Sequence, residues 1–106
     1  MDLMETPKQV RRVLVVDDDE LQLRALQRVA RRDPTLDVHI SANAIDALLQ
    51  VGNLKPDVVV LDVYMPGVDG IEVCKRIKSN PATANTQVIL ASASMDVDLA
   101  AAARKA

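Results

Sequence analysis

Val13-Leu14-Val15-Val16-Asp17-Asp18-Asp19-Glu20 is the stretch that decides how this chain folds. Its apolar residues follow one another without polar alternation, and most of them are β-branched. A strand of that kind is covered on both faces, as in a parallel sheet. The run stops at consecutive acids. A helical pattern follows, with Leu23, Leu26, Val29 and Ala30 at helical spacing up to Arg31-Arg32 and Asp33-Pro34. Strand, acidic turn and helix together open an α/β unit.

Working outward, the unit recurs. Leu36–Ser41 is a short strand candidate, and Asn43 can cap a helix running to about Leu54, with Ala44, Ala47, Leu48 and Val51 on one face. Lys55-Pro56 breaks that helix, and Val58-Val59-Val60-Leu61 is a second fully apolar strand that ends at Asp62. A loop, Val63-Tyr64-Met65-Pro66-Gly67-Val68-Asp69-Gly70, leads to an amphipathic helix with Ile71, Cys74 and Ile77, closed near Ser79-Asn80-Pro81. Val88-Ile89-Leu90-Ala91 is the last strand candidate, and an Ala-rich helix begins near Ser94 or Asp96. Backward from Val13, residues 1–12 read as a polar leader, with no apolar run of the kind a signal peptide carries. Alternating units with short joints predict an α/β fold on a parallel sheet with right-handed crossovers.

Composition narrows the function. The chain has 106 residues, the length of one domain with one modest core. Tyr64 is the only aromatic residue, so no platform for stacking bases is available. A formal net charge of −2 gives no pull on a phosphate backbone, and no direct nucleic-acid contact is expected. Cys74 is the only cysteine, which excludes an internal disulfide and a thiolate zinc site. No stretch is apolar and long enough to predict a membrane span, and a cytoplasmic home is expected.

The chemistry emerges once each residue is placed on its strand. Ligands of parallel α/β sheets bind at the carboxyl ends of the strands. Asp17 and Asp18 follow the first strand, Asp62 ends the third, and Ser92 ends the fourth. Clustered carboxylates repel one another and call for a cation. Oxygen ligands of this kind suit Mg²⁺, which pairs with one or two carboxylates plus a phosphate. A carboxylate beside such an ion can also act as a nucleophile and carry an aspartyl phosphate. Bland readings compete. Asp17-Asp18-Asp19 could only cap a helix, Ser92 could only pack under the sheet edge, and Met65-Pro66-Gly67 could only be a turn. His39 reads as an exposed edge-strand residue, and Cys74 as a small buried apolar one.

Leu14-Val15-Val16-Asp17-Asp18-Asp19, then Val59-Val60-Leu61-Asp62-Val63-Tyr64-Met65-Pro66-Gly67-Val68-Asp69-Gly70, then Val88-Ile89-Leu90-Ala91-Ser92-Ala93 resembles the receiver domains of two-component response regulators. The resemblance implies a flavodoxin-like, doubly wound parallel sheet of order 2-1-3-4 over residues 13–106. It implies that Asp62 is the phosphoacceptor, and that Asp18, Asp62 and the Tyr64 backbone carbonyl contact Mg²⁺ directly. Asp17 would act mainly through water, and Ser92 would be the switch hydroxyl. The partners it implies are a histidine kinase or phosphotransfer protein and an unnamed effector.

The family continues through a further strand bearing a lysine and a further helix, whereas this sequence stops at Arg104-Lys105-Ala106 inside the expected fourth helix. Lys105 lies on a helix and does not replace that lysine. The fifth strand and helix are therefore expected to be missing, phosphorylation to be slow, and two chains to form a homodimer, through the bare edge of the Val88–Ala91 strand or by docking or exchange of residues 94–106. Two other functions compete: a receiver-like interaction module that is poorly phosphorylated, and a Mg²⁺-dependent phosphatase. The phosphatase needs a second acid two positions after its nucleophile, where this chain has Tyr64.

Overall fold

The computed structural model describes residues 10–62, 65, 67 and 69–91. Its first element, β1 (Arg11–Val16), is the opening apolar run extended backward by Arg11 and Arg12. Then come α1 (Glu20–Ala30), β2 (Leu36–Ser41), α2 (Ala44–Leu54), β3 (Val58–Asp62), α3 (Gly70–Ser79) and β4 (Gln87–Ala91). The strands form one parallel sheet in the order β2-β1-β3-β4, as expected. The expected Ala-rich helix lies outside the described residues, as do residues 1–9 of the leader.

The unbroken apolar runs are explained by what covers them. Val13 and Val15 of β1 and Val58 and Val60 of β3 pack with Leu23 and Ala30 of α1. Leu14, Val16, Val59 and Leu61 pack on the opposite face with Ala47 and Val51 of α2 and Val73 and Ile77 of α3. Each of these β1 and β3 residues thus meets a helix whichever way it points. Fully burying one such side chain stabilises by about 1.5–3 kcal/mol.

The helices start where the sequence supplies a side-chain oxygen. Asp19 caps α1 by accepting from the backbone N–H groups of Leu21 and Gln22, Asn43 caps α2 through Asp46 N–H, and Asp69 caps α3 through Ile71 and Glu72. Two helix faces differ from the sequence expectation. Val29 is 65% exposed, and Leu23 and Ala30 carry the buried stripe of α1. In α3 the buried residues are Gly70, Val73 and Ile77, while Ile71 is exposed and Cys74 half-buried.

This topology creates the site. From β1 the chain moves one way to β2, then returns past β1 to β3. With right-handed crossovers, reversing direction puts α1 on one face and α2 and α3 on the other. The reversal opens a crevice at the carboxyl ends of β1 and β3.

Candidate functional site

Asp17 follows the last residue of β1 and Asp62 is the last residue of β3, and these two strands are adjacent. Asp18 sits on the turn into α1. One carboxylate oxygen from each of Asp17, Asp18 and Asp62 lies within 4.8 Å of the other two. Asp62 is 5% exposed, Asp17 is 9% exposed and Asp18 faces solvent. The structure thus brings together Asp17, Asp18 and Asp62, three of the residues that the sequence reading singled out.

The electrostatics are those of crowded acids. Burial pushes the Asp17 carboxyl above its ordinary range. The Asp19 N–H, donating to Asp17 Oδ1 at 3.1 Å, pulls the other way, and the charges of Asp62 and Asp18 push it up further. Asp19 itself is spent on capping α1, so the helix-cap reading and the acidic-site reading divide the acidic run between them.

Two supports hold the surrounding loops. Met65, 5% exposed, packs into the core with Leu61, Val73 and Ile77. Gly67 adopts φ 71°, a left-handed conformation that a side chain would strain. Beside β1, the Asp17 N–H donates to the Ser41 carbonyl at the end of β2 at 3.1 Å. The Ser41 hydroxyl donates to Asp46 Oδ2 at 2.6 Å, and Gln50 Nε2 donates to the same oxygen at 2.7 Å. Those bonds hold the Asp46 carboxyl below its ordinary range, Ser41 first and Gln50 second. Sequence reading missed this group. Its only local signal is Asn43-x-x-Asp46 with Gln50 one turn later.

Ser92 and Tyr64, the other expected site residues, lie outside the described residues. Ala91, directly before Ser92, is registered opposite Asp62.

A parallel sheet of this order with an acidic crevice defines a doubly wound α/β domain, and comparison makes the class specific. The family model of the response regulator receiver domain matches residues 13–106, and the chain belongs to that family. Protein-glutamate methylesterase/protein-glutamine glutaminase 5 of Myxococcus xanthus is 40% identical over 96 residues, covering 90% of this chain and 27% of that protein. Response regulator MprA of a Mycobacterium species is 42% identical over 71 residues, covering 64% of this chain and 29% of the relative. The chain thus spans less than a third of these curated relatives.

Among solved structures, the signal receiver domain of a DNA-binding response regulator from Colwellia psychrerythraea 34H superposes with a TM-score of 0.70 at 34% identity. That match covers 90% of this chain and 78% of the other. The response regulator domain of Thermotoga maritima CheB gives 0.69 at 31% identity, covering 92% and 72%. No helix among the described residues is long and apolar enough to cross a membrane.

Proposed function

We propose that this domain accepts a phosphoryl group on Asp62 from the phosphohistidine of a histidine kinase or phosphotransfer protein, in a Mg²⁺-assisted reaction in the cytoplasm. The observation that carries the reading is the convergence of the Asp17, Asp18 and Asp62 carboxylates at the crevice of a receiver fold. The donor set fits the ion: hard carboxylate oxygens, one of them on a carboxyl that burial and its neighbours' charges make reluctant to ionise. Asp18 and Asp62 would hold Mg²⁺ directly with the Tyr64 carbonyl, and Asp17 through water. When bound, the ion supplies positive charge against the carboxylates and the phosphoryl oxygens. A carboxylate oxygen of Asp62 forms its bond to phosphorus as the donor's bond breaks, and the leaving imidazole keeps the electron pair. Burial keeps the Asp62 carboxylate in place for in-line attack. Ser92 follows Ala91, the residue registered opposite Asp62, and would donate its hydroxyl to the new phosphoryl group.

The test is incubation with acetyl phosphate and Mg²⁺, read by intact mass. One phosphoryl group should be added, Asp62→Asn should abolish it, and a chelator should suppress it. Labelling that survives in Asp62→Asn, or a wild-type chain that takes no label with Mg²⁺ present, overturns the assignment. Saturating Mg²⁺ should also stabilise the fold by about 1–3 kcal/mol.

Self-association belongs to the same reading. Among the described residues β4 is laddered only to β3, and its Leu90 is 40% exposed. An apolar strand presented this way supports pairing of two chains into a homodimer through β4.

A further inference from the structure

We propose that Asp46 is a positioning residue for the metal site, acting through Ser41 on the backbone of Asp17. The proposal rests on the Mg²⁺ reading above. Asp17 can reach an ion only from where the end of β1 sets its backbone, and one side of that end is fixed by β2. Val16 is registered opposite Ser41, and the next N–H, that of Asp17, donates to the Ser41 carbonyl at 3.1 Å. This is the last backbone tie between the two strands before the chain turns into α1. Whatever holds Ser41 therefore holds Asp17.

Ser41 is held unusually well for the end of an edge strand. It is 3% exposed, and its hydroxyl donates to Asp46 Oδ2 at 2.6 Å. The alternative acceptor, the Asn43 carbonyl, lies farther off at 3.0 Å. A hydroxyl bound to an ionised carboxylate is the stronger kind of hydrogen bond. Gln50 Nε2 spends one hydrogen on Asp46 Oδ2 at 2.7 Å and the other on the Ile40 carbonyl at 3.0 Å. Asp46 is fixed from its own backbone too, since its N–H donates to the capping Asn43 Oδ1 at 2.8 Å. Asp46 Oδ2 and the Gln50 amide bonded to it thus tie the first two turns of α2 to the last two residues of β2. A plain helix-capping role would leave that carboxylate on its own helix end. Here it reaches across to the strand that sets Asp17.

Equilibrium titration of the 106-residue chain with Mg²⁺, read calorimetrically and without any phosphodonor, tests this. Partners one step behind a metal ligand commonly change affinity by about 10–100-fold, and a partner acting through backbone should act less, by about three- to tenfold. Asp46→Ala and Ser41→Ala should weaken Mg²⁺ binding by that amount. Asp46→Asn, which keeps an oxygen for both donors but loses the charge, should stay within about twofold of wild type. Thr86→Val serves as control. It removes another buried hydroxyl bond, to the Pro56 carbonyl, at the far end of the sheet, and should leave Mg²⁺ affinity unchanged. Asp46→Ala and Ser41→Ala binding as wild type does would overturn the proposal. So would Asp46→Asn failing as badly as Asp46→Ala, because charge and not position would then be at work. Equal weakening in Thr86→Val would reduce the effect to general loosening and overturn it as well. Should Asp46→Ala not fold by circular dichroism, Ser41→Ala and Asp46→Asn carry the decision. A wild-type chain that binds no Mg²⁺ overturns the metal reading, and this proposal with it.

Discussion

Among the described residues, the two edges of the sheet are built on opposite plans. β2, Leu-Asp-Val-His-Ile-Ser, mixes polar with apolar residues, and helices on both faces reach over to its backbone. Gln27 of α1 donates to the Val38 carbonyl at 3.2 Å, and Gln50 of α2 donates to the Ile40 carbonyl at 3.0 Å. Asp37 holds Arg12 Nε at 3.2 Å and lies 3.1 Å from His39 Nε2. β4, Gln-Val-Ile-Leu-Ala, carries no charge, and its middle is half-exposed. An edge with charges and occupied carbonyls is a poor template for another chain, whereas an apolar one invites pairing. The difference teaches that β2 is finished as an edge, while β4 is written like an interior strand.

The largest effect should separate the interior from the edges. Leu61→Ala in β3, at a fully buried position, should cost about 2–5 kcal/mol, measured by denaturant unfolding. Leu90→Ala in β4 should cost under about 1.5 kcal/mol, because much of that side chain is already in water. Equal costs would mean that Leu90 is covered in solution, which the homodimer would also achieve, so both variants should be compared at low protein concentration.

Stripping the protection from β2 comes next. Gln27→Ala and Gln50→Ala each remove one carbonyl partner and should each cost about 0.5–1.5 kcal/mol. The double variant should also self-associate more than wild type by sedimentation, because β2 would then resemble β4. The reverse exchange gives β4 a charge. Leu90→Lys should change stability by no more than about 1 kcal/mol yet shift the chain toward monomer. A homodimer that persists in Leu90→Lys does not use this edge.

The smallest effect is electrostatic. Burial pushes the Asp37 carboxyl up, but the hydrogen bonds and charges of His39 and then Arg12 outweigh it, and it lies below its ordinary range. The folded chain therefore binds this proton less readily than the unfolded chain does. The resulting stability is fully present above the unfolded carboxylate pKa and is lost as pH falls through the lowered folded value. Solvent screening keeps it to about half a kcal/mol. Asp37→Asn should be slightly less stable than wild type at neutral pH, and the two should converge in strong acid. A constant gap at every pH would show that Asp37 contributes through geometry and not through charge.

Much of this was legible from residues alone. Runs such as Val58–Leu61 read as strands covered on both faces, and a parallel sheet brings the acids at their ends to one edge. The faces of the helices were harder. α1 offers Leu21, Leu23, Leu26, Val29 and Ala30, which form more than one stripe at helical spacing, and only packing selects Leu23 and Ala30. The same holds for Ile71 against Val73 in α3. The Ser41–Asp46–Gln50 group left only a weak trace, because Asp46 and Gln50 share α2 but meet Ser41 and Ile40 of β2 only when the helix lies over the strand. β3 and β4 likewise read alike, since a sequence run carries no mark of its place in the sheet.

Strands apolar on both faces also face a spelling problem. In an alternating strand, a slip of one residue would turn the greasy side to water, so the pattern itself forbids the slip. In β1 and β3 a slip exchanges valine for valine or leucine and offends nothing within the run. The alignment has to be punctuated from outside. At one end Arg12 and Asp57 bond reciprocally: Arg12 N–H donates to Asp57 Oδ2 and Asp57 N–H to the Arg12 carbonyl, both at 2.8 Å. At the other end stand Asp17 and Asp62, which a slipped strand would drag toward the hydrocarbon interior at heavy cost. The acids proposed to hold the ion and the phosphoryl group are thus also full stops, and a chain stripped of them would lose its reading frame.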